Sequence, residues 1–137
     1  MKPERAVQNI KLKAQRNHVL LIDDDEFLLN AMRKKLEMAN YKVTVSTNVH
    51  DAHFKLSFID PDLIILDIIM PDINGIEFMH LINEQYSLVN TPIILMSYLS
   101  KKKLLEMGYN IGLTRYLAKP FDINKLPLLL NKTIVRA

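Results

Sequence analysis

The stretch DLIILDIIMPDING, running from Asp62 to Gly75, decides the fold. Four apolar residues, Leu63 to Leu66, stop at one acid, Asp67, and turn formers follow: Pro71, an Asp and Asn pair, and Gly75. A short apolar run bounded by turn residues reads as a strand buried on both faces, the kind found in parallel sheets. Asp67 would then stand at the strand's carboxyl end, where open α/β sheets carry their ligand sites. Alone, the acid could equally do no more than begin a turn. Two other segments end the same way and decide against that.

Working outward, the apolar run His18 to Ile22 ends at Asp23, Asp24 and Asp25. A helical pattern follows from Glu26 to about Ala39, with Leu28, Met32, Leu36 and Ala39 on the inner face and Asp25 as N-cap. Tyr41 to Val45 alternates as a second strand, and Asn48 opens a short helix that Asp60-Pro61 breaks. After the central stretch come a helix from Gly75 to about Tyr86, a strand from Ile93 to Met96 ending at Ser97, and a Ser100-capped helix over about Lys101 to Met107. A short strand, Arg115 to Leu117, runs into Ala118-Lys119-Pro120-Phe121. The last helix turns Leu126, Leu129, Leu130 and Ile134 inward, and Pro127 fits only its first turn. Five strands alternating with helices predict one α/β domain, a parallel sheet with helices on both faces.

Composition narrows the function classes. A chain of 137 residues suits one core, and no apolar run is long enough for a membrane span. The chain has no cysteine, so disulfides and thiolate metal sites are excluded, which fits a reducing, cytoplasmic setting. The net charge of +3 is unevenly placed: residues 1–17 carry +4 and the remaining 120 residues −1. We read residues 1–17 as a basic arm and 18–137 as the folded domain. The arm is expected to be a solvated tail, with nucleic acid binding as its rival reading.

The strand ends hold the chemistry. Asp23 and Asp24 follow the first strand, Asp67 ends the third, Ser97 ends the fourth and Lys119 follows the fifth. In a parallel sheet these ends share one edge, so residues far apart in sequence converge. Carboxylates packed within a few Å repel one another. A divalent cation with oxygen ligands relieves that, and Mg²⁺ suits it because it keeps waters and accepts phosphate. With a fixed lysine and a hydroxyl, this is a set for phosphoryl transfer to a carboxylate.

These residues resemble the receiver domain of two-component response regulators, chemotaxis regulators included, over Val19 to about Val135. The resemblance is carried by LLIDDD, LIILDIIMPDING, PIILMS and YLAKPF, with 43 residues from Asp24 to Asp67, 30 to Ser97 and 22 more to Lys119. It implies a flavodoxin-like, doubly wound sheet in the order 2-1-3-4-5. It implies that Asp67 accepts a phosphoryl group from a histidine kinase or histidine phosphotransferase. Mg²⁺ would be held by Asp24 directly, by Asp23 largely through water, by Asp67 and by the Ile69 carbonyl. Lys119 would meet the phosphoryl oxygens, beside a cis Lys119–Pro120 bond. Ser97 and Tyr116 would switch, altering a protein-interaction face around residues 97–121. The domain would then be a signalling phosphoacceptor, catalysing only its own phosphorylation and dephosphorylation. It is expected to be either a stand-alone regulator or the receiver of a longer chain; if the chain is complete, with no DNA-binding or enzymatic domain after residue 137, its output is expected to be protein contact or onward phosphotransfer.

Some positions depart from the family. Tyr98 follows the switch hydroxyl, where a small residue is usual, and would narrow access to Asp67. Ile69 and Leu99 are aliphatic where polar side chains often orient an attacking water. Slow self-dephosphorylation is therefore expected. Arg115 stands before Tyr116 where winged-helix regulators often carry acids, so their dimer mode is not assumed. Ile69 also argues against a phosphohydrolase, which would carry a second acid there. A phosphorylation-independent binding module is the other rival. Asp25 reads as a cap, Asp72 as turn chemistry, His50 and His53 as surface residues, and Lys101 to Lys103 as either a solvated helix start or a partner contact.

Overall fold

The computed structural model describes residues 17–134 except Asp72, Ser87, Val89 and Leu113. The arm before Asn17 and the turn reading of Asp72 lie outside the described residues. In chain order the elements are β1 (His18–Ile22), α1 (Glu26–Met38), β2 (Lys42–Ser46), α2 (Val49–Leu56), β3 (Leu63–Asp67), α3 (Gly75–Tyr86), β4 (Ile93–Ser97), α4 (Lys101–Glu106), β5 (Arg115–Ala118) and α5 (Leu126–Ile134). A single turn of 3₁₀ helix, Ile123–Lys125, leads into α5, so Pro127 does fall in that helix's first turn.

The five strands form one parallel sheet in the order β2-β1-β3-β4-β5, as expected. Every residue of β1, β3 and β4 is buried, which requires cover on both faces. On one face Leu20, Ile22, Ile64, Leu66 and Leu95 pack against α2, α3 and α4. On the other, Val19, Leu21, Ile65, Ile94 and Met96 pack against α1 and α5. Each fully buried Leu or Ile contributes about 1.5–3 kcal/mol, so the alternation along these strands, not any single contact, keeps both layers in place.

Side chains start the helices where the sequence places caps. Asp25 Oδ1 accepts from Leu28 N at 3.0 Å, Asn48 Oδ1 from Asp51 N at 2.8 Å and Ser100 Oγ from Lys103 N at 3.0 Å. Asn40 closes the α1 turn in the left-handed conformation, φ 69°, which Asn tolerates better than most residues. Three local expectations are corrected. The inner face of α1 is Leu29, Met32 and Leu36; Leu28 is half-buried and Ala39 is exposed. β2 starts at Lys42 and not at Tyr41. Tyr41 is buried, its N–H donates to the Leu36 carbonyl at 3.0 Å as part of the end of α1, and its hydroxyl donates to Asn131 of α5.

Candidate functional site

The register brings the polar strand ends together. Ile22 pairs with Leu66, Asp67 with Met96 and Ser97 with Ala118. Asp23, Asp67, Ser97 and Lys119 therefore meet at one edge of the sheet, as read from the sequence. They line an open cleft of about 430 Å³ with Asp24, Asp25, Ile69, Tyr98 and Leu99.

Within it, Asp23, Asp24 and Asp67 each offer a carboxylate oxygen, all within 4.8 Å of one another. Asp23 and Asp67 are buried, whereas Asp24 is exposed. Lys119 Nζ donates to Asp23 Oδ2 at 2.6 Å and to Asp67 Oδ2 at 3.3 Å, so one cation spans two acids. Asp23 Oδ1 accepts from Asp25 N at 2.9 Å, and Asp67 Oδ1 from Ile69 N at 3.2 Å. Asp25 thus caps α1 with its side chain while its backbone steadies Asp23.

The charges are frustrated. Burial, and then the Asp23 charge, push the Asp67 carboxyl up to about 6 despite the opposing pull of Lys119 and the Ile69 N–H. Burial and Asp23 raise Asp24 as well. Burial alone would lower Lys119, but its hydrogen bond to Asp23 and the charges of Asp67 and Asp23 outweigh that and raise it. Three acids and one lysine leave net negative charge, with hard oxygen donors facing one another. That donor set fits Mg²⁺, which takes carboxylates at such a site and retains waters.

Ser97 is buried, and its Oγ accepts from Leu99 N at 3.1 Å. Tyr116 is half-buried. Its hydroxyl donates to the Ser97 carbonyl at 3.2 Å and to the Leu99 carbonyl. The Lys119–Pro120 peptide is cis. Tyr98 is 68% exposed, and its ring stands over the cleft with Lys119 Nζ 5.0 Å from the ring centroid.

One requirement was not read from the sequence. A Cβ on Gly75 would lie 2.5 Å from the Asp67 carbonyl oxygen and 2.8 Å from Ile68 Cα. Gly75 N also donates to the Ile68 carbonyl at 2.7 Å. The start of α3 is therefore pressed against the backbone of the strand end that carries Asp67, and only glycine fits. Of the four histidines, His18 is buried with Nε2 2.7 Å from Thr44 Oγ1, and His53 Nε2 lies 2.7 Å from Gln85 Oε1. Among the described residues none joins a metal-ligating group.

A doubly wound sheet with an acidic, lysine-bridged cleft at its strand ends is a recognisable class of α/β module. This chain belongs to the response regulator receiver domain family, whose model matches residues 19–131. The transcriptional regulatory protein CrdR of Helicobacter pylori is 32% identical over 108 residues, 79% of this chain and 50% of that protein. The chemotaxis response regulator CheY4 of Vibrio cholerae superposes with a TM-score of 0.76 at 29% identity, over 86% of this chain and 98% of that one. The response regulator TrrA of Thermotoga maritima, solved in complex with Mg²⁺-BeF, gives 0.69 at 25% identity over 85% and 98%. The chain spans about half the length of the curated relatives it matches. No helix among the described residues is long and apolar enough to cross a membrane.

Proposed function

We propose that this domain is a phosphoacceptor switch and that Asp67 is its acceptor. The observation that carries the reading is the bridging of Asp23 and Asp67 by Lys119 at the strand ends. An Asp67 carboxylate oxygen attacks the phosphorus of a phosphohistidine on a histidine kinase or phosphotransferase. The new P–O bond forms as the P–N bond breaks, and the departing imidazole nitrogen takes a proton. Lys119 is already 3.3 Å from the acceptor oxygen, so it can follow the phosphoryl oxygens without a long movement.

Asp23, Asp24, Asp67 and the Ile69 carbonyl are the groups that would hold Mg²⁺. Bound there, the ion supplies positive charge that offsets the charge on the phosphoryl oxygens. Asp67 and Asp23 would otherwise repel an incoming phosphate. The Ser97 hydroxyl accepts a bond from Leu99 N in this structure and can turn to donate to a phosphoryl oxygen. Tyr116, tethered to the Ser97 and Leu99 carbonyls, senses that turn. The segment from Ser97 to Phe121 then carries the change to its surface as a shift between two packings. Such a domain turns over no external substrate. Ile69 leaves no second acid beside Asp67 to serve hydrolysis of a phosphate ester, and a cytoplasmic setting suits a kinase partner.

The test is intact mass after incubation with Mg²⁺ and acetyl phosphate, with Asp67→Asn alongside. A metal-dependent gain of one phosphoryl group, absent in the variant, is expected. No gain from acetyl phosphate or from a phosphorylated histidine phosphotransferase would overturn the reading in favour of a phosphorylation-independent binding module.

A further inference from the structure

The stretch from β2 to the end of α3 carries almost no cation. Residues 43–90 hold seven acidic side chains and one basic, Lys55, which is already paired with Asp51 at 2.8 Å. Asp60, Glu77 and Glu84 are exposed, and none of the three forms an ion pair with a described residue. Glu77, Leu81 and Glu84 recur at four- and three-residue spacing and so share one face of α3.

Apolar side chains stand beside these acids. Phe54 on α2 is 64% exposed and Phe58 just beyond it 63%, their rings edge to face at 4.8 Å, and Leu81 on α3 is 44% exposed. Between the two helices lies an open cleft of about 340 Å³ lined by Val49, His50, His53, Ile73, Phe78 and Leu81. His53 fastens its walls: its Nε2 lies 2.7 Å from Gln85 Oε1, and its carbonyl accepts from the Tyr86 hydroxyl at 3.1 Å. An exposed aromatic pair beside an apolar cleft and a row of acids fits an occupant that is basic and also carries apolar side chains.

We propose that residues 1–16 of this chain are that occupant and dock along α2 and α3. They carry Lys2, Arg5, Lys11, Lys13 and Arg16 against Glu4, with Val7, Ile10 and Leu12 among them. Their cations would meet Asp60, Glu77 and Glu84, and their apolar residues would cover Phe54, Phe58 and Leu81. The exit point favours this. The Asn17 carbonyl accepts from Lys42 N at 2.9 Å and Asp62 Oδ2 from His18 N at 2.8 Å, so the chain leaves the sheet beside Asp62, which closely follows Phe58. A segment of this length reaches up to about 50 Å, against about 18 Å for the whole of α3. Tethering presents it to the face at on the order of 1 mM. The same face of a second copy would bring acid to acid, and nucleic acid would be repelled. No group of the acidic cleft takes part, so the docking stands apart from the phosphoacceptor reading.

The experiment uses the whole chain. It has no cysteine, so Gln8→Cys takes a single nitroxide label. Paramagnetic broadening of backbone amide signals is read on isotope-labelled protein, with the reduced label as reference. Signals of residues 49–58 and 73–85 should broaden more than those of α1, α4 and α5, and added salt should relieve the excess. Either Lys11→Glu/Lys13→Glu/Arg16→Glu or Glu77→Lys/Glu84→Lys should abolish it, and combining the two sets should restore it. The remaining amide shifts show that each variant is folded. In a mixture of nitroxide-bearing chain without isotope and isotope-labelled chain without nitroxide, no broadening is expected. Broadening spread evenly over all five helices, broadening that both sets of variants leave unchanged, or broadening of the second chain in the mixture would overturn the proposal.

Discussion

Lys119 Nζ lies 2.6 Å from Asp23 Oδ2, and the two side chains are 4% and 0% exposed. Such a pair is costly to form and costlier to break, because removing one partner leaves the other charge buried and unpaired. Lys119 also faces Asp67, at the longer distance of 3.3 Å. We expect Lys119→Gln to lower stability by about 3 kcal/mol at neutral pH without metal. Urea unfolding reads this directly. An unchanged midpoint would mean that water already screens the pair.

Asp67 carries the opposite sign. Its carboxyl is pushed up to about 6 from an ordinary 3.8. A raised carboxyl holds its proton more tightly when folded. The folded state therefore loses stability as pH rises from about 4 to about 6 and carries the full penalty above that. Asp67→Asn removes the penalty. The variant should be more stable than the parent by about 1–3 kcal/mol at neutral pH, with the difference closing as pH falls to about 4. Added Mg²⁺ should raise the parent's Tm more than the variant's. A variant that is less stable at every pH would show that the carboxylate is a net support of the fold.

Much of the site is legible because buried strands in this chain stop abruptly at polar residues. Ile22-Asp23, Leu66-Asp67 and Met96-Ser97 each mark a strand end, and a parallel sheet has only one edge where such ends can meet. Strand order follows once the family is recognised, but the direct contact of Lys119 with Asp23 shows only in the structure. Packing detail does not follow. Whether Leu28 or Leu29 faces the core depends on a rotation of α1 that sequence periodicity resolves poorly. Tyr41 stays out of the strand because its backbone N–H donates to the Leu36 carbonyl at 3.0 Å, closing the end of α1. Gly75 looks like an ordinary turn glycine until the Asp67 carbonyl is found beneath it.

That contact yields a third prediction. In Gly75→Ala the new methyl meets backbone on two sides, and backbone cannot rotate away as a side chain could. The start of α3 must lift off β3, moving the Asp67 strand end with it. A loss of about 1–3 kcal/mol is expected, as for other overpacked sites, with slower uptake of phosphoryl from acetyl phosphate. Both are measurable on one preparation, by thermal unfolding and intact mass. A variant with parental stability and uptake would mean that the loop before α3 absorbs the methyl.

We propose that Tyr98 sets the lifetime of the phosphorylated state. Its ring covers the Lys119 side of the cleft, and the aliphatic Ile69 and Leu99 line the same opening. Neither Ile69 nor Leu99 has a polar group to orient water in line with a phosphoryl group on Asp67, and the Tyr98 ring restricts its approach. Hydrolysis of the acyl phosphate should therefore be slow. Tyr98→Ala should speed it by on the order of tenfold, the equivalent of about 1.4 kcal/mol of barrier, whereas Tyr98→Phe should leave it nearly unchanged because the ring remains. The measurement is decay of the phosphorylated mass after removal of acetyl phosphate. Equal rates in parent and Tyr98→Ala would assign the slow step to Ile69 and Leu99. Fast decay in the parent itself would show that water reaches Asp67 past the ring.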